Sequence, residues 1–133
     1  MDYQRLQASI PNGGRPTILV VDDQIDMRDA IAVLLEGEGY DVIDAENGRE
    51  SLKFLQNGSN VIAIVLDLMM PVMDGWQFLA ERRKNPKWAS IPTIVVTGVS
   101  ETKRRTQELG DTTVFTKPFH FDELFVALRR AIS

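Results

Sequence analysis

The sequence predicts an α/β domain in which a parallel sheet is covered on both faces by helices. Two observations carry that prediction. Short strand-like segments recur five times along the chain, and Thr17 to Val21 is a nearly continuous apolar run, as a strand buried on both faces requires. Between them lie stretches with apolar residues at helical spacing, and this alternation implies strand–helix–strand crossovers.

The first run is Thr17-Ile18-Leu19-Val20-Val21. An apolar stripe follows at Met27, Ala30, Ile31, Leu34 and Leu35, which is helical spacing, and Gly37 and Gly39 stop that helix. Asp41 to Ala45 reads as the second strand. Gly48 to Gln56 reads as a helix ended by Asn57-Gly58. Val61-Ile62-Ala63-Ile64-Val65-Leu66 is the strongest strand in the chain. Trp76, Leu79 and Ala80 mark a helix that ends near Asn85-Pro86, since the residue before a proline disfavours helix. Thr93 to Val96 is a fourth strand, Thr102 to Leu109 a short polar helix, and Thr112 to Phe115 a fifth strand. Phe121, Leu124, Phe125, Leu128 and Ile132 give a last amphipathic helix. Residues 1–16 read as a flexible N-terminal extension and residues 17–133 as the domain. Pro11-Asn12-Gly13-Gly14-Arg15-Pro16 is turn-forming. Leu6 and Ile10 could dock on the domain, but a frayed terminus is the stronger reading.

Composition narrows the function classes. A chain of 133 residues fits one domain and can bury a real core. Cysteine is absent, which excludes disulfides, a thiolate nucleophile and Cys-ligated metal. Histidine occurs once, at His120, so a His-rich zinc site and any two-His mechanism are excluded. A net charge of −4 opposes direct nucleic acid binding and binding to an anionic membrane. No apolar run approaches the roughly 20 residues that span a bilayer, and Met1 to Gly14 lacks the pattern of a signal peptide. A cytoplasmic location is the expectation.

The polar residues that follow the strands suggest the chemistry. Asp22 and Asp23 follow the first strand, Asp67 the third, Thr97 the fourth and Lys117 the fifth. In an open α/β sheet the ligand site lies outside these carboxyl ends. Three carboxylates in one pocket repel, so either a carboxyl is held protonated or a cation binds. An all-oxygen set favours a hard divalent ion, foremost Mg²⁺. An ammonium at Lys117 and a hydroxyl at Thr97 facing that cation are what a tetrahedral phosphoryl group needs around its oxygens. A central carboxylate can then act as nucleophile and form an aspartyl phosphate.

In these motifs the chain resembles the receiver domain of two-component response regulators, of the chemotaxis-regulator type. The similar stretches are Val20-Val21-Asp22-Asp23, Asp67-Leu68-Met69-Met70-Pro71-Val72-Met73-Asp74-Gly75, Val96-Thr97-Gly98 and Thr116-Lys117-Pro118-Phe119. They stand in the family's order with similar spacing, over roughly residues 17 to 132. The resemblance implies a flavodoxin-like, doubly wound (βα)5 three-layer sandwich whose five-stranded parallel sheet has the order 2-1-3-4-5. It implies that Asp67 accepts a phosphoryl group from the phosphohistidine of a sensor histidine kinase or phosphotransfer protein. It gives Asp23 as a direct Mg²⁺ ligand, Asp22 as one acting through water, and the Met69 backbone carbonyl as completing the metal site with Asp67. Thr97 matches the hydroxyl that holds the phosphoryl group. Lys117 matches the cation that pairs with a phosphoryl oxygen, or with Asp67 before phosphorylation. The Lys117-Pro118 bond is expected to be cis. The signal would pass to a downstream protein target or output domain.

Some positions depart from the family pattern. Val114 stands where relatives often carry an aromatic switch residue, and Phe115 should point to the other face of its strand and pack in the core. The Gly98 to Asp111 segment is short for the family. Met69 and Val99 flank the pocket with apolar side chains, which predicts a long-lived phosphoaspartate. Other features have plain structural readings. Asp74-Gly75 is a cap and turn, and Asp26 is expected to cap the first helix. Lys103-Arg104-Arg105 and Arg82-Arg83-Lys84 are expected on solvated helix faces. Trp76, Trp88 and His120 lie outside the reactive set. The second reading is a phosphorylation-independent docking module with the same fold. A phosphohydrolase is disfavoured, because Met69 occupies the place of its second acid.

Overall fold

The apolar runs become five strands: β1 (Thr17–Val21), β2 (Asp41–Ala45), β3 (Val61–Leu66), β4 (Thr93–Thr97) and β5 (Thr113–Thr116). They are joined by α1 (Ile25–Gly37), α2 (Gly48–Gln56), α3 (Gly75–Lys84), a single turn α4 (Pro86–Ala89) and α5 (Phe121–Ile132). The computed structural model describes residues 15–58, 60–98, 109–110 and 112–133. Several expectations lie outside these residues: most of the extension 1–16, the helix from Thr102, the Lys103-Arg104-Arg105 cluster, Val99 and the shortened segment after Gly98.

All strand pairs are parallel, and the sheet order is β2-β1-β3-β4-β5. This is the doubly wound arrangement expected above, with the order reversing between β1 and β3. Alternation along each strand divides the core into two layers. Ile18, Val20, Ala63, Val65, Ile94 and Val96 pack with Ile31 and Leu35 of α1 and Leu124 and Leu128 of α5. Leu19, Val21, Ile64, Leu66 and Val95 pack on the other side with Leu55 of α2 and Trp76, Phe78 and Leu79 of α3. Val114 packs on this second layer and Phe115 on the first, as strand alternation predicts.

Local chemistry sets the helix ends. The Asn47 side chain accepts from Glu50 N–H at 2.9 Å and starts α2. Asp74 and Gln77 form a reciprocal capping box at α3, with 2.8 and 3.0 Å bonds. Asn85 ends α3 and caps the Pro86–Ala89 turn, whose first residue is the proline.

Three expectations need correction. Asp26 does not cap α1: the N-cap is Gln24, without a side-chain bond, and Asp26 lies exposed in the first turn. Ala30 and Leu34 do not share the buried stripe of Ile31 and Leu35 but stand exposed. Each lies one residue, about 100° of helix rotation, away from that stripe. Arg82 is half-buried, not solvated, and its guanidinium donates to the Ile91 carbonyl.

Candidate functional site

Register brings the reactive residues to one edge of the sheet. Val21 is paired with Leu66, Leu66 with Val95, and Thr97 with Thr116. Asp22, Asp67, Thr97 and Lys117 therefore emerge side by side at the carboxyl ends of β1, β3, β4 and β5. Main-chain bonds extend the ladder one step past the strands: Asp67 N–H donates to Val21 O at 2.9 Å, and Lys117 N–H to Thr97 O at 2.8 Å. The Lys117-Pro118 peptide bond is cis.

Asp22 and Asp67 are buried, while Asp23 is exposed at the rim. Carboxylate oxygens of the three lie within 4.8 Å of one another. Lys117 Nζ lies 2.9 Å from Asp22 Oδ2 and 3.4 Å from Asp67 Oδ2. The ammonium thus spans both buried acids and is closer to Asp22 than to the partner expected from sequence. Asp22 Oδ1 accepts from Gln24 N–H at 2.9 Å, which orients its carboxylate towards the lysine. Met69 N–H donates to Asp67 Oδ1 at 3.3 Å, while the Met69 side chain turns outwards, 54% exposed.

The electrostatics follow from this crowding. Burial, with the neighbouring Asp22 charge, pushes the Asp67 carboxyl above its ordinary value, against the opposing pull of Lys117 and the Met69 N–H. Burial alone would pull the Lys117 ammonium down. The hydrogen bond to Asp22 and the charges of Asp67 and Asp22 outweigh it and leave the group raised. Three carboxylates around one ammonium leave the pocket with more negative charge than Lys117 balances. A hard divalent cation fits this donor set, which is all oxygen. A tetrahedral anion fits it too: Thr97 Oγ1 is fully buried and has no hydrogen-bond partner among the described residues. A buried hydroxyl without a partner carries a desolvation cost that an incoming oxygen would remove.

Two further supports hold the site, of which Arg28 was not visible in the sequence and Gly75 was visible only as a turn residue. Arg28, on the first turn of α1, donates from Nη1 to the Asp22 carbonyl oxygen at 2.8 Å, and its Nε lies 3.5 Å from Asp44 Oδ2. It ties the Asp22–Asp23 turn to α1 and β2. Gly75 N–H donates to Leu68 O at 2.9 Å, and a Cβ there would fall 2.5 Å from the Asp67 carbonyl oxygen. Only glycine lets α3 start so close to the acid. His120 flanks α5 without a side-chain cap bond, and Trp76 is buried in the core.

Comparison with known proteins agrees with this geometry. The family profile of the response regulator receiver domain matches residues 18–129. The sensor histidine kinase CheAY of Helicobacter pylori is 38% identical over 118 residues, which is 86% of this chain and 15% of that protein. Two other curated relatives are about twice as long as the chain, which covers 52% of the response regulator Rre1 of Synechocystis and 47% of the probable transcriptional regulator ycf27 of Porphyridium aerugineum. The chemotaxis response regulator CheY4 of Vibrio cholerae superposes with a TM-score of 0.78 at 29% identity, over 88% of this chain and 98% of that one. The response regulator TrrA of Thermotoga maritima, solved in complex with Mg²⁺-BeF, gives 0.76 at 32% identity, over 87% and 98%.

Proposed function

The chain belongs to the response regulator receiver domain family, and we propose that it is a phosphorylation switch built on Asp67. The observation that carries this reading is the buried Thr97 hydroxyl, without a partner among the described residues, beside a lysine that bridges two acids. The donor is the phosphohistidine of a sensor histidine kinase or phosphotransfer protein. The Asp67 carboxylate attacks phosphorus, a P–O bond forms as the P–N bond breaks, and the imidazole leaves with the electron pair. Lys117 then pairs with a phosphoryl oxygen, and Thr97 Oγ1 donates to another. Asp22, Asp23, Asp67 and the Met69 carbonyl would hold Mg²⁺, which when bound neutralises the charge that gathers between carboxylates and phosphoryl group.

The domain catalyses its own phosphorylation and dephosphorylation and acts on no metabolite. Met69 lines the mouth with an exposed apolar side chain and cannot orient an attacking water, which supports slow hydrolysis of the phosphoaspartate. Its replacement by Asn should accelerate phosphate release. The signal passes to a downstream protein target or an output domain. With Val114 packed on the core layer that includes Leu109, the route to the surface is one without a swinging ring. A cytoplasmic location suits such a kinase partner. Among the described residues no helix is long and apolar enough to cross a membrane.

The test is intact mass after incubation with Mg²⁺ and a small phosphodonor, for the wild type and Asp67→Asn. A single phosphoryl adduct on the wild type, missing from the variant and from a chelated sample, is expected. A wild type without adduct overturns the switch and leaves a phosphorylation-independent docking module.

A further inference from the structure

Asp23 is the loosely held member of the acidic cluster. The Asp22 N–H donates to Ala45 O at 3.1 Å, its carbonyl accepts from Arg28 Nη1 at 2.8 Å, and its carboxylate accepts from Gln24 N–H and Lys117 Nζ, each at 2.9 Å. Asp67 is held by Lys117 and by the Met69 N–H. The Asp23 side chain, exposed at the rim, has no hydrogen bond or ion pair among the described residues. Its carboxylate nevertheless lies within 4.8 Å of those of Asp22 and Asp67. The main chain alone therefore aims it.

That main chain is the turn Asp22-Asp23-Gln24, closed at both ends by one residue. Arg28 N–H donates to Gln24 O at 3.0 Å, and the Arg28 guanidinium reaches back to Asp22 O. A charge-assisted bond to a carbonyl holds a turn more firmly than a neutral one. The guanidinium is itself braced. The Arg28 side chain is only 14% exposed, and its Nε faces Asp44 Oδ2 on β2 at 3.5 Å. Charge alone does not account for an arginine here. A cation beside a cluster of acids opposes a second cation, so by Coulomb's law Arg28 weakens metal binding. What it supplies in return is geometry, oxygen ligands held in place before an ion arrives.

We propose that Arg28, braced by Asp44, is a positioning residue for the metal site: it holds the Asp22-Asp23-Gln24 turn so that the Asp23 carboxylate faces Asp22 and Asp67 before Mg²⁺ binds. This rests on the reading of those three acids as the Mg²⁺ site. It gives neither Arg28 nor Asp44 a contact with the ion or with the phosphoryl group.

Mg²⁺ binding is measured by calorimetry on the full chain, without a phosphodonor, for the wild type, Arg28→Met, Asp44→Asn and the double variant. Each is held well below the Tm of its metal-free form, so that affinity is read on folded protein. Arg28→Met keeps a long apolar stem and removes the guanidinium. Its Mg²⁺ affinity is expected to fall about tenfold, the lower end of what losing an outer partner of a metal ligand costs. A purely electrostatic Arg28 gives tighter binding instead, and a merely structural one gives a lower Tm with unchanged affinity; either result overturns the proposal. Asp44→Asn changes a half-exposed side chain that the fold tolerates, and it should weaken binding about two- to fivefold. In the double variant it should add nothing to Arg28→Met, since both act through one turn. Additive losses overturn the bracing by Asp44. A wild type that binds no Mg²⁺ overturns the metal site itself, an outcome distinct from a wild type that binds and an Arg28→Met that binds equally well.

Discussion

Replacing Thr97 by Val should make the unphosphorylated protein more stable and the phosphoryl site weaker. The side chain is fully buried at the end of β4, and Oγ1 lacks a partner among the described residues. Valine keeps the shape, removes the hydroxyl and suits a strand. An unsatisfied buried polar group costs about 1–3 kcal/mol, so the variant gains about that much. An unfolding entropy of about 2.1 cal/mol/K per residue gives roughly 0.28 kcal/mol/K for this chain, so Tm rises by about 4–10 °C. A hydrogen bond to a charged acceptor contributes about 1.5–3 kcal/mol, so the affinity for a phosphoryl mimic falls roughly ten- to hundredfold. Thermal unfolding by circular dichroism without Mg²⁺ reads the first effect. Titration with beryllium fluoride in the presence of Mg²⁺ reads the second. A lower or unchanged Tm refutes the unpartnered hydroxyl, and unchanged affinity refutes its place in the phosphoryl site.

Three further perturbations follow from the same geometry. The Asp67 carboxyl is held above its ordinary 3.8 by burial and by Asp22, so its contribution to stability is complete below that value and is lost as pH rises through the raised one. Metal-free Asp67→Asn should therefore outlast the wild type in urea at neutral pH, with an advantage that shrinks on acidification; a constant or reversed difference contradicts this. Gly75→Ala places Cβ 2.5 Å from the Asp67 carbonyl oxygen and 2.7 Å from Leu68 Cα, both main-chain atoms that cannot swing aside. The start of α3 must move, lowering stability by about 1–3 kcal/mol or more and slowing phosphorylation of Asp67; an unchanged Tm argues against it. Val72 has φ 70, a strained region for a β-branched residue, and its side chain is 67% exposed. Relief of about 1–3 kcal/mol of strain exceeds the roughly 0.5–1 kcal/mol entropic penalty of glycine, so Val72→Gly should raise the urea midpoint, and a fall contradicts the strain.

The three central strands were legible because a parallel strand buried on both faces is nearly continuously apolar, and the burial of Thr17 to Val21 bears this out, whereas the edge strands Asp41–Ala45 and Thr113–Thr116 are only partly buried. The site was legible for a related reason. A polar residue that directly follows such a strand has one place to be, the carboxyl edge of the sheet. Asp74 was readable as a cap because a capping box is local in sequence. The α1 stripe was harder. Both faces of that helix are apolar, so spacing alone does not say that Ile31 and Leu35 go inwards while Ala30 and Leu34 stay out. Arg28 escaped notice because its partners, the Asp22 carbonyl and Asp44, come from two other elements.

The sequence by itself determined the alternation of strands and helices, the placing of five polar residues directly after strands, and the family the chain belongs to. Each rests on contiguous residues or on motif order, which the chain carries without being folded. The tertiary structure decided the balance inside the pocket. Lys117 bridges Asp22 more closely than Asp67, and Thr97 is sealed from solvent with its hydroxyl unanswered among the described residues. Those distances depend on how four strands are set in register, and register is an agreement between segments that no one of them contains.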